Sequence, residues 1–112
     1  MKKVLITGMS GLIGGLLAAH LQKEGGYELT ALNRSKVEGV NCVQADVSDF
    51  ESIRDAFQGQ DVAVHLAAYL GSDDWPGQLN GNIVGTYNVF EAARLAGVKR
   101  VVYASSGNTI RG

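Results

Sequence analysis

Apolar residues come in short runs separated by polar, glycine-bearing segments, and their spacing predicts strands alternating with helices. Val4-Leu5-Ile6-Thr7 reads as a strand that runs straight into Gly8, Gly11 and Gly14. An uncharged segment with helical spacing follows, with Ile13, Leu16, Leu17 and Leu21 on one face. Gly25-Gly26 stops that helix, and residues 27–32 form a second strand. A short link at 36–40 leads to a third strand at 41–44, after which Ser48 or Asp49 caps a helix ending at Phe57. Residues 61–66 (DVAVHL) are too apolar to have a wet face, as expected of a parallel strand covered on both sides. Residues 69–78 read as a loop holding the single Trp and single Pro, followed by the longest helix, 79–96. Its inward face is expected to carry Ile83, Tyr87, Phe90 and Leu95, with Gly97 as its stop and a fifth strand at 98–104. No repeat, low-complexity stretch or internal linker interrupts this order.

Strand, glycine turn and helix in succession are the ordering a dinucleotide-binding turn requires. Gly8 permits the sharp turn off the strand, Gly11 removes a Cβ that would hold a pyrophosphate away, and Gly14 lets the helix lie close to the sheet. The helix then directs its unpaired N–H groups at the phosphates, and no acid occurs between Met1 and Gln22 to repel them. In a chain with 15 glycines a G-x-x-G-x-x-G trio is weak by itself; its place directly after an N-terminal strand gives it weight.

Further candidates sit where the other strands end. Asn33 and Arg34 follow the second strand, where an acid would bind the adenosine ribose 2′-hydroxyl; the cation Arg34 instead suits a 2′-phosphate and leans the reading from NAD toward NADP, a solvated surface arginine being the alternative. Asp46, followed by Val47, either accepts from an adenine amino group or is a plain turn carboxylate. Leu66, Ala67 and Ala68 offer a small-residue floor for a cofactor. His65 lies within its strand and reads as a satisfied structural histidine, and Cys42 as a buried structural thiol. The loop at 69–78 either touches substrate or serves Trp75 as a hydrophobic lid. Asn82 either reaches the cofactor or bridges to a neighbouring loop. Ser105 and Ser106 are the only plausible catalytic groups, with an ordinary capping role as the alternative.

At 112 residues the chain is expected to be one domain, residues 1–112. A net charge of −1 gives no electrostatic footprint for nucleic acid or an acidic membrane surface. Glycines break every apolar run short of membrane-spanning length, and Thr7, Ser10 and His20 break the resemblance of residues 2–22 to a signal peptide. One cysteine cannot form an internal disulfide, which fits a reducing cytoplasm.

Five motifs in order carry a resemblance: TGMSGLIG from Thr7, Asp46-Val47, HLAA from His65, NIVGTYNV from Asn82 and VVYASS from Val101. Together they resemble the extended short-chain dehydrogenase/reductase family of the epimerase/dehydratase type, and residues 82–106 look like uronate dehydrogenases and sugar-nucleotide epimerases. The resemblance implies a Rossmann-like, doubly wound parallel α/β sheet of about five strands in the order 3-2-1-4-5, truncated before a sixth. It implies cofactor contacts from Gly8, Gly11, Leu12, Ile13, Gly14, Asn33, Arg34, Asp46, Val47, Leu66, Ala67, Ala68, Asn82 and Ser105. It also implies hydride exchange between a sugar and nicotinamide, in which a Tyr-x-x-x-Lys pair moves the hydroxyl proton and a Ser or Thr holds the substrate oxygen. That Ser or Thr maps to Ser106, or in another register to Gly107, where the hydroxyl is missing. Residues four after Tyr27, Tyr69, Tyr87 and Tyr103 are Ala31, Asp73, Glu91 and Gly107, so the sequence holds no Tyr-x-x-x-Lys. The expectation is the cofactor-binding portion of a longer sugar or sugar-nucleotide oxidoreductase or epimerase; the alternative is a non-catalytic dinucleotide-binding or self-assembling domain. The uncharged VVYA core of the fifth strand at the sheet edge, flanked by Lys99 and Arg100, with the apolar helix surfaces beside it, also points to a homodimer or a larger assembly.

Overall fold

The computed structural model describes residues 1–8, 12–67 and 75–105. The element order is β1 (Lys2–Thr7), α1 (Leu12–Glu24), β2 (Tyr27–Asn33), β3 (Asn41–Gln44), α2 (Phe50–Ile53), β4 (Val62–Ala67), α3 (Trp75–Ala96) and β5 (Arg100–Ser105). The strands form one parallel sheet in the order β3-β2-β1-β4-β5, as the resemblance implies. The fold is Rossmann-like and doubly wound, with helices on both faces.

Strand alternation divides the core between the two faces. Val4, Ile6, Leu29, Ala31, Val64 and Leu66 pack under α1, which contributes Ala18, Leu17 and Leu21. On the other face Leu5, Leu32 and Ala63 meet Ile53 and Phe57, and α3 supplies Val89, Ala92 and Ala93. β1 is buried on both sides from Val4 to Thr7, the signature of a central parallel strand.

Several element boundaries and faces differ from expectation. The segment from Phe50 to Phe57 is one turn of α-helix continued by a tighter 3-10 turn, Arg54–Phe57. Asp49 does occupy its N-cap position, but the carboxylate accepts from the Ser52 hydroxyl at 2.7 Å and caps no backbone N–H. Leu16 is exposed, while Leu17, Ala18 and Leu21 face inward on α1. α3 begins at Trp75, so part of the expected loop is helix; Pro76 is tolerated because first-turn N–H groups have no intrahelical partner.

The largest correction concerns the inward face of α3. Ile83, Tyr87, Phe90 and Leu95 are 58%, 65%, 42% and 53% exposed, whereas Val89, Ala92 and Ala93 are fully buried and Gly85 is buried with them. The helix lies so close to its neighbours that small residues occupy the contact. A Cβ on Gly85 would fall 2.6 Å from Val47 Cγ2. Cys42 is half-buried, not buried, and its sulfur accepts from the Val37 N–H at 3.3 Å.

Candidate functional site

Parallel pairing brings the carboxyl ends of the strands to one edge of the sheet. Thr7 pairs with Leu32 on one side and His65 on the other, and Asn33 pairs with Gln44. Open α/β sheets bind ligands in a crevice outside this edge. A cavity of about 610 Å³ lies there. Thr7 at the end of β1, Gly8 just after it, and His65 and Leu66 from β4 form its inner wall. Leu32 and Asn33 at the end of β2, Arg34 and Ser35 after it, and Ala45 and Val47 after β3 lie on the opposite side.

Gly8 is the pivot of the inner wall. Its φ is +74°, and a Cβ built on it would lie 2.8 Å from the Leu66 carbonyl oxygen. Both the left-handed backbone and the approach to β4 therefore require glycine. Next to it, the buried Thr7 hydroxyl accepts the Leu66 N–H at 3.0 Å and lies 2.7 Å from His65 Nδ1. The neutral imidazole carries one ring proton, so it donates to one of the two threonine hydroxyls and accepts from the other, Thr86 Oγ1 lying 3.1 Å from Nε2. Burial holds the His65 pKa down to about 4, which keeps it neutral. His65 is thus a satisfied structural group, as expected, tying β1 and β4 to α3.

The other wall is a pair of turns. Asn33 is buried, and its side-chain amide donates to the Ser35 carbonyl at 2.9 Å while its own carbonyl accepts the Ala45 N–H at 3.0 Å. Arg34 is exposed at the cavity lining. Asp46 Oδ1 accepts both the N–H and the hydroxyl of Ser48 at 2.9 Å, forming a turn. These two bonds, and behind them the charge of Arg34, hold its carboxyl below the usual carboxylate range. Asp46 is therefore built into a turn and lies beside the cavity-lining Ala45 and Val47.

The sequence-predicted residues are partly brought together. Gly8, Asn33, Arg34, Val47 and Leu66 line one cavity, with Asp46 on the same loop. Leu12, Ile13 and the buried Gly14 form the first turn of α1, which contains no acid. Ala67 ends β4, Asn82 lies in α3 and Ser105 ends β5. Gly11, Ala68, Ser106 and Gly107 lie outside the described residues, as does most of the loop at 69–78. Sequence reasoning missed Thr7, Thr86, Gly85 and Asn88 as site-builders. The last three stand inside the NIVGTYNV motif, where they were legible only as part of a resemblance. Among the described residues no cluster of His, Cys, Asp or Glu could hold a metal ion, and no helix is long and apolar enough to cross a membrane.

A parallel sheet with helices on both faces, Gly8 turning the chain off β1 and a cavity at the strands' carboxyl ends define the class: a Rossmann-like α/β domain. Residues 4–110 match the NAD dependent epimerase/dehydratase family, and the chain belongs to it. It is 36% identical over 109 residues to an L-arabinose 1-dehydrogenase (NAD(P)(+)) of Haloferax volcanii, covering 96% of this chain and 42% of that protein. It is also 36% identical over 115 residues to a uronate dehydrogenase of Agrobacterium fabrum, covering 98% and 43%. Among solved structures it resembles the Thermus thermophilus UDP-glucose 4-epimerase complex with NAD, with a TM-score of 0.84 and 29% identity, covering 98% of this chain and 39% of that one. The chain spans less than half the length of these relatives.

Proposed function

We propose that these 112 residues are the NAD(P)-binding domain of a sugar or sugar-nucleotide dehydrogenase or epimerase. The observation that carries the reading is the cavity between Gly8 and Val47, of the size range small-molecule and cofactor sites have. Gly8, Gly11, Leu12, Ile13 and Gly14 would hold the diphosphate at the start of α1. Asn33 and Arg34 would face the adenosine ribose, Asp46 and Val47 the adenine, and Leu66, Ala67 and Ala68 would floor the site. Asn82, Ser105 and Ser106 belong to the nicotinamide side, Ser106 in the role of holding a substrate oxygen. When bound, the nicotinamide supplies the hydride acceptor. Arg34 leans the preference toward NADP, although its charge also acts on Asp46. A sugar would be the substrate of the whole enzyme, and its relatives' names support that class.

The sequence contains no Tyr-x-x-x-Lys, so these residues alone would bind dinucleotide without turnover. Calorimetric titration with NAD and with NADP tests the reading. Saturable heat with at least one, and no cofactor reduction by uronate or UDP-sugars, is expected; no heat with either overturns it. We infer a cytoplasmic protein with no nucleic-acid partner from its near-neutral charge and single cysteine. We also infer a homodimer, because Val102 and Tyr103 on β5 are exposed and Tyr103 adjoins the exposed Phe90 of α3.

A further inference from the structure

We propose that Asn88 is a positioning residue for the adenine side of the cavity, acting through Val47 together with Gly85 and touching no ligand itself. The inference rests on the dinucleotide reading given above. Val47 lines the cavity in the loop between β3 and α2. The start of that loop is fixed by the Ala45 N–H on the Asn33 carbonyl, and its turn by the Asp46 carboxylate on Ser48. Neither bond is made by Val47 itself; its carbonyl is held from α3, 41 residues further on, where Asn88 Nδ2 donates to it at 2.9 Å.

The buried position of Asn88 makes this bond informative. The residue is 6% exposed beside the apolar Val89 and Ala92. A buried amide costs free energy unless its hydrogen bonds are made, and a leucine would serve the helix's own packing better. What the amide supplies there is a grip on the loop. Gly85, one turn earlier on the same face, completes it: the Val47 side chain occupies the space a Cβ would need, at 2.6 Å from Cγ2. α3 thus holds Val47 by its carbonyl and by its side chain, and Asp46 is carried with it. Moving this loop would separate the Asp46 carboxylate from the adenine amino group while leaving the diphosphate turn around Gly8 in place.

The test uses Asn88→Leu and Gly85→Ala with two dinucleotides, NAD and nicotinamide hypoxanthine dinucleotide. In the second, an oxygen that cannot donate replaces the adenine amino group. The original chain should prefer NAD by about ten- to hundredfold, the range of one hydrogen bond to a charged group. Both variants should lose most of that preference, with the hypoxanthine dinucleotide bound nearly as before. Equal weakening of both ligands with the preference intact would mean a merely structural role and overturn the proposal. Failure of the original chain to bind either ligand overturns the dinucleotide reading and this inference with it. Should Asn88→Leu not fold, Gly85→Ala, which displaces Val47 but keeps the amide, carries the same expectation.

Discussion

His65 is the residue whose chemistry is most constrained by its surroundings. It is 4% exposed, stands 2.7 Å from one threonine hydroxyl and 3.1 Å from another, and lies 5.7 Å, centroid to centroid, from the Tyr103 ring. In the unfolded chain its imidazole titrates near 6.5, and in the fold near 4. Between those values the unfolded state binds a proton that the folded state does not, so stability falls as pH drops through the window. The loss reaches about 3 kcal/mol at its lower end. Asp46 adds to the loss in the same direction, but further down, as pH falls through its own depressed value. Urea midpoints at pH 7, 5.5 and 4.5 should decline, and His65→Gln should flatten the decline; an unchanged slope in the variant would refute the assignment. Arg34 gives the second prediction at this scale. Arg34→Ala should weaken NADP by about 1–3 kcal/mol and leave NAD nearly unchanged. Equal losses for both would show that Arg34 packs on the adenine.

Among the elements, α3 shows what governs a helix that crosses a sheet closely. Its contact row is Gly85, Asn88, Val89, Ala92 and Ala93, and its large apolar residues face away. Ala92→Leu should therefore cost about 1–3 kcal/mol by overpacking against Ile53 and Phe57, whereas Tyr87→Leu at an exposed site should stay within about 0.5 kcal/mol. Thermal melts of the two variants decide this, and a larger loss at Tyr87 would reverse the orientation of the helix. The five strands were legible in the sequence because the buried strands of a parallel sheet are continuous apolar runs punctuated by glycine; their order was legible only through the family resemblance. The face of α3 was not, since helical periodicity admits two rows there and residue size favoured the wrong one. Small residues mark close approach, which is a property of the partner surface. The site was legible in the same uneven way. Gly8, Asn33, Arg34 and Val47 announced themselves by following strands, but the bonds of Asn88 and Thr86 exist only after residues 41 and 21 apart are folded together.

At the scale of the whole molecule, the sheet has two edges among the described residues, β3 and β5. β3 is four residues long and carries Asn41 and Gln44, while β5 presents Val102 at 43% and Tyr103 at 49% exposure. An apolar strand edge of this kind is where another chain or a further segment adds. Light scattering at micromolar concentration should show a dimer or larger assembly that Val102→Lys dissolves. A clean monomer at high concentration would count against self-association.

β1 is flanked by β2, which follows within the first 33 residues, and by β4, which begins at Val62. Synthesis from the amino end therefore delivers only half of what the central strand needs. Until residue 67 has emerged, Val4 to Thr7 have one pairing edge with no partner, and Thr7 lacks both His65 and Leu66. Gly8 also lacks its neighbour before then, since the Leu66 carbonyl stands where a Cβ on it would fall. Long-range pairing of this kind makes folding slow and leaves a nascent chain open to aggregation. A chain released after residue 57 should accordingly be insoluble or unfolded, and a cooperative melt from that fragment would show the first three strands to be self-sufficient.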